Sequence, residues 1–234
     1  MRRVLTALEV PVLIAVPAAL AACAVLDLGQ SALLSALVAC AALLVFMGGW
    51  EQSKPAPRQV MPTVVLAALA AAGRILFAPI PSFKPVTAIC IIAGIMFGKR
   101  SGFMVGALAA LASNFFFGQG PWTPWQMYAW GLSGYVAGTL AARGIFERHP
   151  RAVYAWGFVA PLVFGALLNG WYIIGFVRPL EPATIALAYA AGVPLDILHS
   201  VATELFLLLL YAPWVRKLTR IRDKYALRFE AGGV

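Results

Sequence analysis

Charge is scarce in this chain and acidic charge scarcest, with nine Asp and Glu in 234 residues against eighteen Lys and Arg. At 12% charged residues and a mean hydropathy of +0.86, neither a soluble globular domain nor a disordered chain fits. Histidine is present only at positions 149 and 199, and no metal site is expected. The three cysteines, Cys23, Cys40 and Cys90, fall inside apolar stretches, where cysteine behaves as a small buried hydrophobe. A disulfide framework is therefore not indicated.

What the chain has instead is apolar length. Eight stretches span, or nearly span, a hydrocarbon core that takes about 20 helical residues. They run Val4 to Leu26, Ser31 to Gly49, Val60 to Phe77, Val86 to Phe97, Gly102 to Phe117, Trp125 to Ala142, Val153 to Val177 and Pro194 to Val215. Such stretches are too long and unalternating for a barrel, and backbone in lipid must be satisfied internally, so the fold class is an all-α integral membrane bundle. The basic residues sort between alternate loops. Arg74, Lys84 and Arg178 fall on one side, and the other fifteen, among them Lys99, Arg100, Arg143 and the tail from Arg216, fall on the other. The positive-inside rule then places both termini in the cytoplasm, and the net charge of +9 reports topology and contact with anionic lipid rather than nucleic acid. Leu20-Ala21-Ala22-Cys23 after a basic start resembles a bacterial lipoprotein cleavage box, and it equally fits an Ala-rich membrane helix.

Polar side chains inside an apolar chain mark a site or a packed interface, because lipid makes them costly. They gather toward the outer side: Arg74 and Lys84 around the loop Ala78 to Pro85, Asn114 at the end of the fifth span, Gln119, Trp122, Trp125 and Gln126 in an uncharged Gly/Pro/Trp loop, and Asn169 on the seventh. On the eighth, Asp196, His199, Ser200 and Thr203 form one polar stripe at helical spacing. Apolar and aromatic walls with a few placed polar groups are what a ligand pocket needs. Trp171 and Tyr172 fit an interfacial belt as readily as a site, and Arg74 and Lys84 fit headgroup contact as readily. Asn114→Ala or Asp196→Ala is expected to weaken ligand binding without loss of fold. Glu204 lies deeper and is expected to pair with a polar group on another helix. Small residues repeat every four positions at Ala67/Ala71, Ala68/Ala72, Gly102/Gly106/Ala110 and Gly134/Gly138/Ala142, spacing that lets helix backbones approach closely.

From Arg74 to Gly138, FAPIPSFKPVTAI followed by GFMVGALAALASNFFFGQGPWTPWQMYAWGLSGYVAG resembles the substrate-binding S component of energy-coupling factor (ECF) vitamin transporters, closest to the cobalamin-type branch. The resemblance covers roughly residues 60–215. It implies a six-helix core at 60–215, preceded by two extra helices in 1–59 and followed by a basic cytoplasmic tail at 216–234. It also implies a non-catalytic, vitamin-binding subunit of a bacterial cytoplasmic membrane, with a corrinoid such as cobalamin as first expectation and other vitamins or nucleobase precursors as alternatives. Its partners would be a membrane coupling protein, met by Ala67, Ala68, Ala71 and Ala72, and two cytoplasmic ATPases that use the ATP. No cofactor would be bound by this chain.

Gly98-Lys99-Arg100-Ser101 is not a phosphate-binding loop, since Arg100 stands where Ser or Thr is required and Ala93 where the first glycine is. A rival reading is a rhomboid-like intramembrane serine protease, from Gly131-Leu132-Ser133-Gly134 with His199 as general base. A secondary transporter would want ionisable residues along a path and two related halves, and only Glu204 is deep.

Overall fold

A computed structural model of the chain describes residues 2–26, 31–52 and 57–224. Among them every regular element is helical: α1 Arg2–Leu26, α2 Ser31–Gln52, α3 Pro57–Leu76, α4 Val86–Phe97, α5 Lys99–Phe117, α6 Thr123–Ala142, α7 Ile145–Arg148, α8 Ala152–Phe176 and α9 Pro182–Lys224. Three of these, α5, α8 and α9, are long and apolar enough to cross a membrane, and shorter apolar segments lie at Ala7–Ala19, Ala39–Glu51, Val60–Leu76 and Val86–Phe97. α6 is diluted by Gln126, Ser133, Thr139 and three glycines. Large apolar side chains such as Leu44, Leu76, Leu187 and Leu209 stay exposed at 69–75%, a surface that suits lipid and not water.

The centre of the bundle is α4, buried at every residue but Ile95 and packed against α5, α6, α3 and α9. Glycine makes this possible. A Cβ placed on Gly134 would strike the backbone of Gly102 and the carbonyl of Cys90, one on Gly106 the backbone of Trp130 and Gly131, and one on Gly138 the backbone of Gly98 and Lys99. The expected small-residue faces of α5 and α6 are thus direct backbone contacts. The α3 alanines divide differently. Ala67 and Ala71 are 4% and 6% exposed and turn into the chain's own core, whereas Ala68 and Ala72 face outward beside Val64, Val65 and Leu69. The four-alanine face expected from the resemblance is therefore two inward and two outward residues.

Two lengths depart from the sequence reading. α9 starts at Pro182, twelve residues before the expected Pro194, and runs on to Lys224. At 1.5 Å per residue its 43 residues extend about 64 Å, roughly twice a hydrocarbon core. Pro182 suits a first helical turn, and Pro194 and Pro213 are accommodated within the helix, as prolines in membrane helices often are. α4, in contrast, has 12 residues, about 18 Å, so the loop before it must supply part of any crossing. Lys84 meets the demand this places on the loop's backbone: its ammonium donates to the carbonyls of Phe77, Ala78 and Ile80. Phe83 then wedges between Phe77 and Phe206, 5.7 and 5.2 Å from their ring centroids, tying the loop to α9.

The α1–α2 hairpin packs on α5, α6 and α8. Phe46 stacks on Phe103 with centroids 4.1 Å apart, and the Tyr128 hydroxyl donates to the Leu13 carbonyl at 2.9 Å. Cys40 and Cys90 are free thiols. The side chain of Cys23, where a lipoprotein box would be cut, lies outside the described residues.

Candidate functional site

The end of α3, the end of α5 and the start of α6 converge on one side chain, Asn114, which is fully buried. Its Oδ1 accepts from Arg74 Nη1 at 2.6 Å, while its Nδ2 donates to Thr123 Oγ1 at 3.0 Å and to Gln126 Oε1 at 2.8 Å. Arg74 Nη1 also donates to Ser113 Oγ at 2.6 Å, and Ser113 passes its own proton to the Ala109 carbonyl at 2.7 Å. Thr123 donates to Gln119 Oε1 at 2.9 Å and accepts from the Gly120 amide, and Gln119 Nε2 closes back on the Leu111 carbonyl at 2.9 Å. The Gly/Pro/Trp loop is therefore held from inside by a buried amide. Both Asn114 N–H groups are used and the side chain is fully enclosed, so its part is to position Arg74 and Gln126.

The Arg74 guanidinium carbon lies 4.5 Å from the Phe117 ring centroid and 4.9 Å from that of Trp130, a cation held between two π faces. From Trp130 the aromatic wall continues to Phe164 at 4.7 Å and from Phe164 to His199 at 5.3 Å. His199 Nε2 is hydrogen-bonded to Thr87 Oγ1 at 2.9 Å, which fastens α9 to α4. This wall of Arg74, Trp130, Phe164 and His199 carries one conspicuous vacancy in bonding. The indole N–H of Trp130 is buried without an acceptor, as are those of Trp125 and Trp171, among the described residues. Buried indole N–H groups ordinarily find a partner, and these three have none among the described residues.

The expected site residues thus divide. Arg74, Asn114, Gln119 and Gln126 form one bonded network, and His199 joins it through aromatic contact. Asn169 and Asp196 make a separate pair, amide to carboxylate at 3.3 Å, seated where Gly165 of α8 and Gly192 of α9 leave room. Trp122 folds back over Gly120 in its own loop, whereas Trp125 and Gln126, expected in that loop, lie in the first turn of α6, with Trp125 fully buried. Lys84 is engaged by loop carbonyls, a role distinct from ligand contact. Glu204 lies over Gly157, and its Oε1 has no hydrogen-bond partner among the described residues, so the polar partner expected for it on another helix is not found there. Trp130, Phe164 and Thr87 were not among the expected site residues. Trp130 follows Gln126 by four positions and so shares its helical face, a signal that was available.

The protease geometry is not formed. Ser133 Oγ donates to the Ala129 carbonyl one turn back at 3.0 Å, and the His199 ring is engaged by Thr87. Ser133→Ala should leave the melting temperature unchanged, and a fluorophosphonate probe should not label the wild-type chain; labelling lost in the variant would reinstate the nucleophile.

A model of the family described as ECF-type riboflavin transporter, S component, matches residues 56–216. The chain belongs to that family. Comparison with curated proteins and with solved structures found no match. As an ECF S component it is a substrate-binding, non-catalytic subunit of a vitamin transporter and a multi-pass membrane protein. The matching family is described as a riboflavin transporter component, and the cobalamin-type branch expected from the sequence finds no support in it.

Proposed function

We propose that this chain captures riboflavin, or a flavin closely related to it, from outside the bacterial cytoplasmic membrane, at the Arg74 end of the bundle. The observation that carries the reading is the half-buried Arg74 guanidinium in a wall whose neighbouring groups are planar: Trp130, Phe164 and His199. A flat fused ring fits against such a wall by stacking, and its edge carbonyls and ring nitrogens are acceptors for a guanidinium. The description of the matched family supports the same vitamin. Arg74 supplies further N–H groups, since both of its side-chain hydrogen bonds among the described residues leave from Nη1. A corrinoid is far bulkier than one planar ring and is the natural competitor to test.

The test is quenching of flavin fluorescence on titration with the purified chain, with cobalamin as competitor. Quenching that Trp130→Ala weakens about tenfold or more, and that cobalamin leaves unchanged, is the expected result. Cobalamin bound tightly by a chain that ignores riboflavin would overturn the assignment.

Import itself would be driven by a coupling protein and two ATPases, with the outward pair Ala68 and Ala72 meeting the coupling protein. Ala72→Leu should abolish co-purification with that partner while riboflavin affinity stays within about twofold. Ala71→Leu, at an inward position, should instead lower the melting temperature of the isolated chain.

A further inference from the structure

The family match begins at residue 56, so the α1–α2 hairpin lies outside it, yet the most fully enclosed carboxylate among the described residues belongs to α1. Glu9 has no exposed surface. Its Oε1 accepts from Arg100 Nε at 2.6 Å; its Oε2 accepts from the Tyr135 hydroxyl at 2.9 Å and lies 3.1 Å from Lys99 Nζ. Lys99 Nζ in turn donates to Tyr135 at 3.0 Å, closing a ring of three groups. Gly49 of α2 completes the enclosure, since a Cβ there would stand 3.4 Å from Glu9 Oε1. Four helices, α1, α2, α5 and α6, thus meet at one acid.

Burial of an ion cluster is a poor source of net stability, because desolvation offsets the attraction. Its effect is selective: an apolar hairpin without the acid would take away the carboxylate to which Arg100 Nε and the Tyr135 hydroxyl donate, and a hairpin slid by one turn would do the same. We propose that α1–α2 is a resident accessory subunit, keyed by Glu9 to a carboxylate receptor made of Lys99, Arg100 and Tyr135, that occupies the α5–α6–α8 face of the core and closes it to any other membrane protein. The partner this face fits is an apolar helical hairpin bearing a single carboxylate, supplied here by the same chain. Assembly with other subunits is thereby confined to the faces the hairpin leaves free, among them the outward side of α3.

The test uses the full chain with a protease site substituted for residues 53–56, cut after purification in detergent, and measures how much hairpin stays with the core on gel filtration. Wild-type hairpin should remain bound. Glu9→Gln should release it at least about tenfold more readily, since one partner of a buried pair is lost. Exchanging the charges, Glu9→Arg with Arg100→Glu, should restore retention at least in part, and this variant decides the matter if Glu9→Gln fails to fold. Hairpin held equally in wild type and Glu9→Gln, hairpin lost from wild type, or no restoration on exchange would each overturn the proposal.

Discussion

Asn114→Ala should weaken vitamin binding by between tenfold and a thousandfold and lower the melting temperature as well. Removing this amide deletes three hydrogen bonds at once: it strands Gln126 Oε1 and takes one partner each from Thr123 Oγ1 and Arg74 Nη1. Each stranded polar group costs about 1–3 kcal/mol, of which about 1.4 kcal/mol is a factor of ten in affinity. The joint fall is the point. From sequence, loss of Asn114 was expected to weaken binding and spare the fold, as a ligand-contacting residue would. A buried amide that positions Arg74 and anchors the loop before α6 gives up both. Gln126→Ala, which removes a single acceptor and leaves one buried Asn114 N–H unpaired, should lower both affinity and melting temperature by less than Asn114→Ala does. Titration and thermal unfolding of the two variants side by side check this, and an Asn114→Ala chain with wild-type stability and affinity would remove the network from the site.

Gly134→Leu should prevent the chain from accumulating as a folded, monodisperse species. Any side chain there must enter the space held by the Gly102 backbone and the Cys90 carbonyl. Overpacking typically costs about 1–3 kcal/mol when side chains can yield, and backbone at a three-helix junction cannot. The damage would reach the site directly, because α6 carries Trp130 one turn away and α5 carries Asn114. Gly49→Ala is the control: its new methyl would stand 3.4 Å from Glu9 Oε1, an ordinary contact, and the variant should express and melt as wild type. Recovery by gel filtration after detergent extraction separates the two. Equal recovery of Gly134→Leu and Gly49→Ala would contradict the glycine-mediated packing.

The helical bundle was legible because lipid leaves a chain few choices, and apolar length with few charges is a direct readout of that constraint. Helix ends were less so. The last apolar stretch was expected to start at Pro194, yet α9 begins at Pro182, and neighbouring helices and the apolar surroundings keep it whole through Pro194 and Pro213. The residues of the bonded network were visible as polar positions, but their roles were not. Nothing in the spacing of Lys84 distinguishes a ligand contact from a staple for its own loop, since that depends on which carbonyls the loop between α3 and α4 turns toward it. Glu9 went unremarked for a related reason: near the end of a terminal helix it reads as one more interfacial charge, and only the fold brings Lys99, Arg100 and Tyr135 to it. Likewise the two overlapping AxxxA pairs of α3 look equivalent along the sequence, while the packing of α3 on α5 and α4 turns one pair inward.

The most direct test of the account is the thermal stability of the purified chain in detergent, measured against riboflavin, cobalamin, cobinamide and a panel of other vitamins and nucleobase precursors. A ligand present at about a hundred times its dissociation constant stabilises by about 2.7 kcal/mol, enough to move the midpoint visibly. A shift with riboflavin, absent with the corrinoids and reduced in Trp130→Ala, is the predicted result. A shift with cobalamin alone, or no shift with any vitamin in the panel, would contradict it.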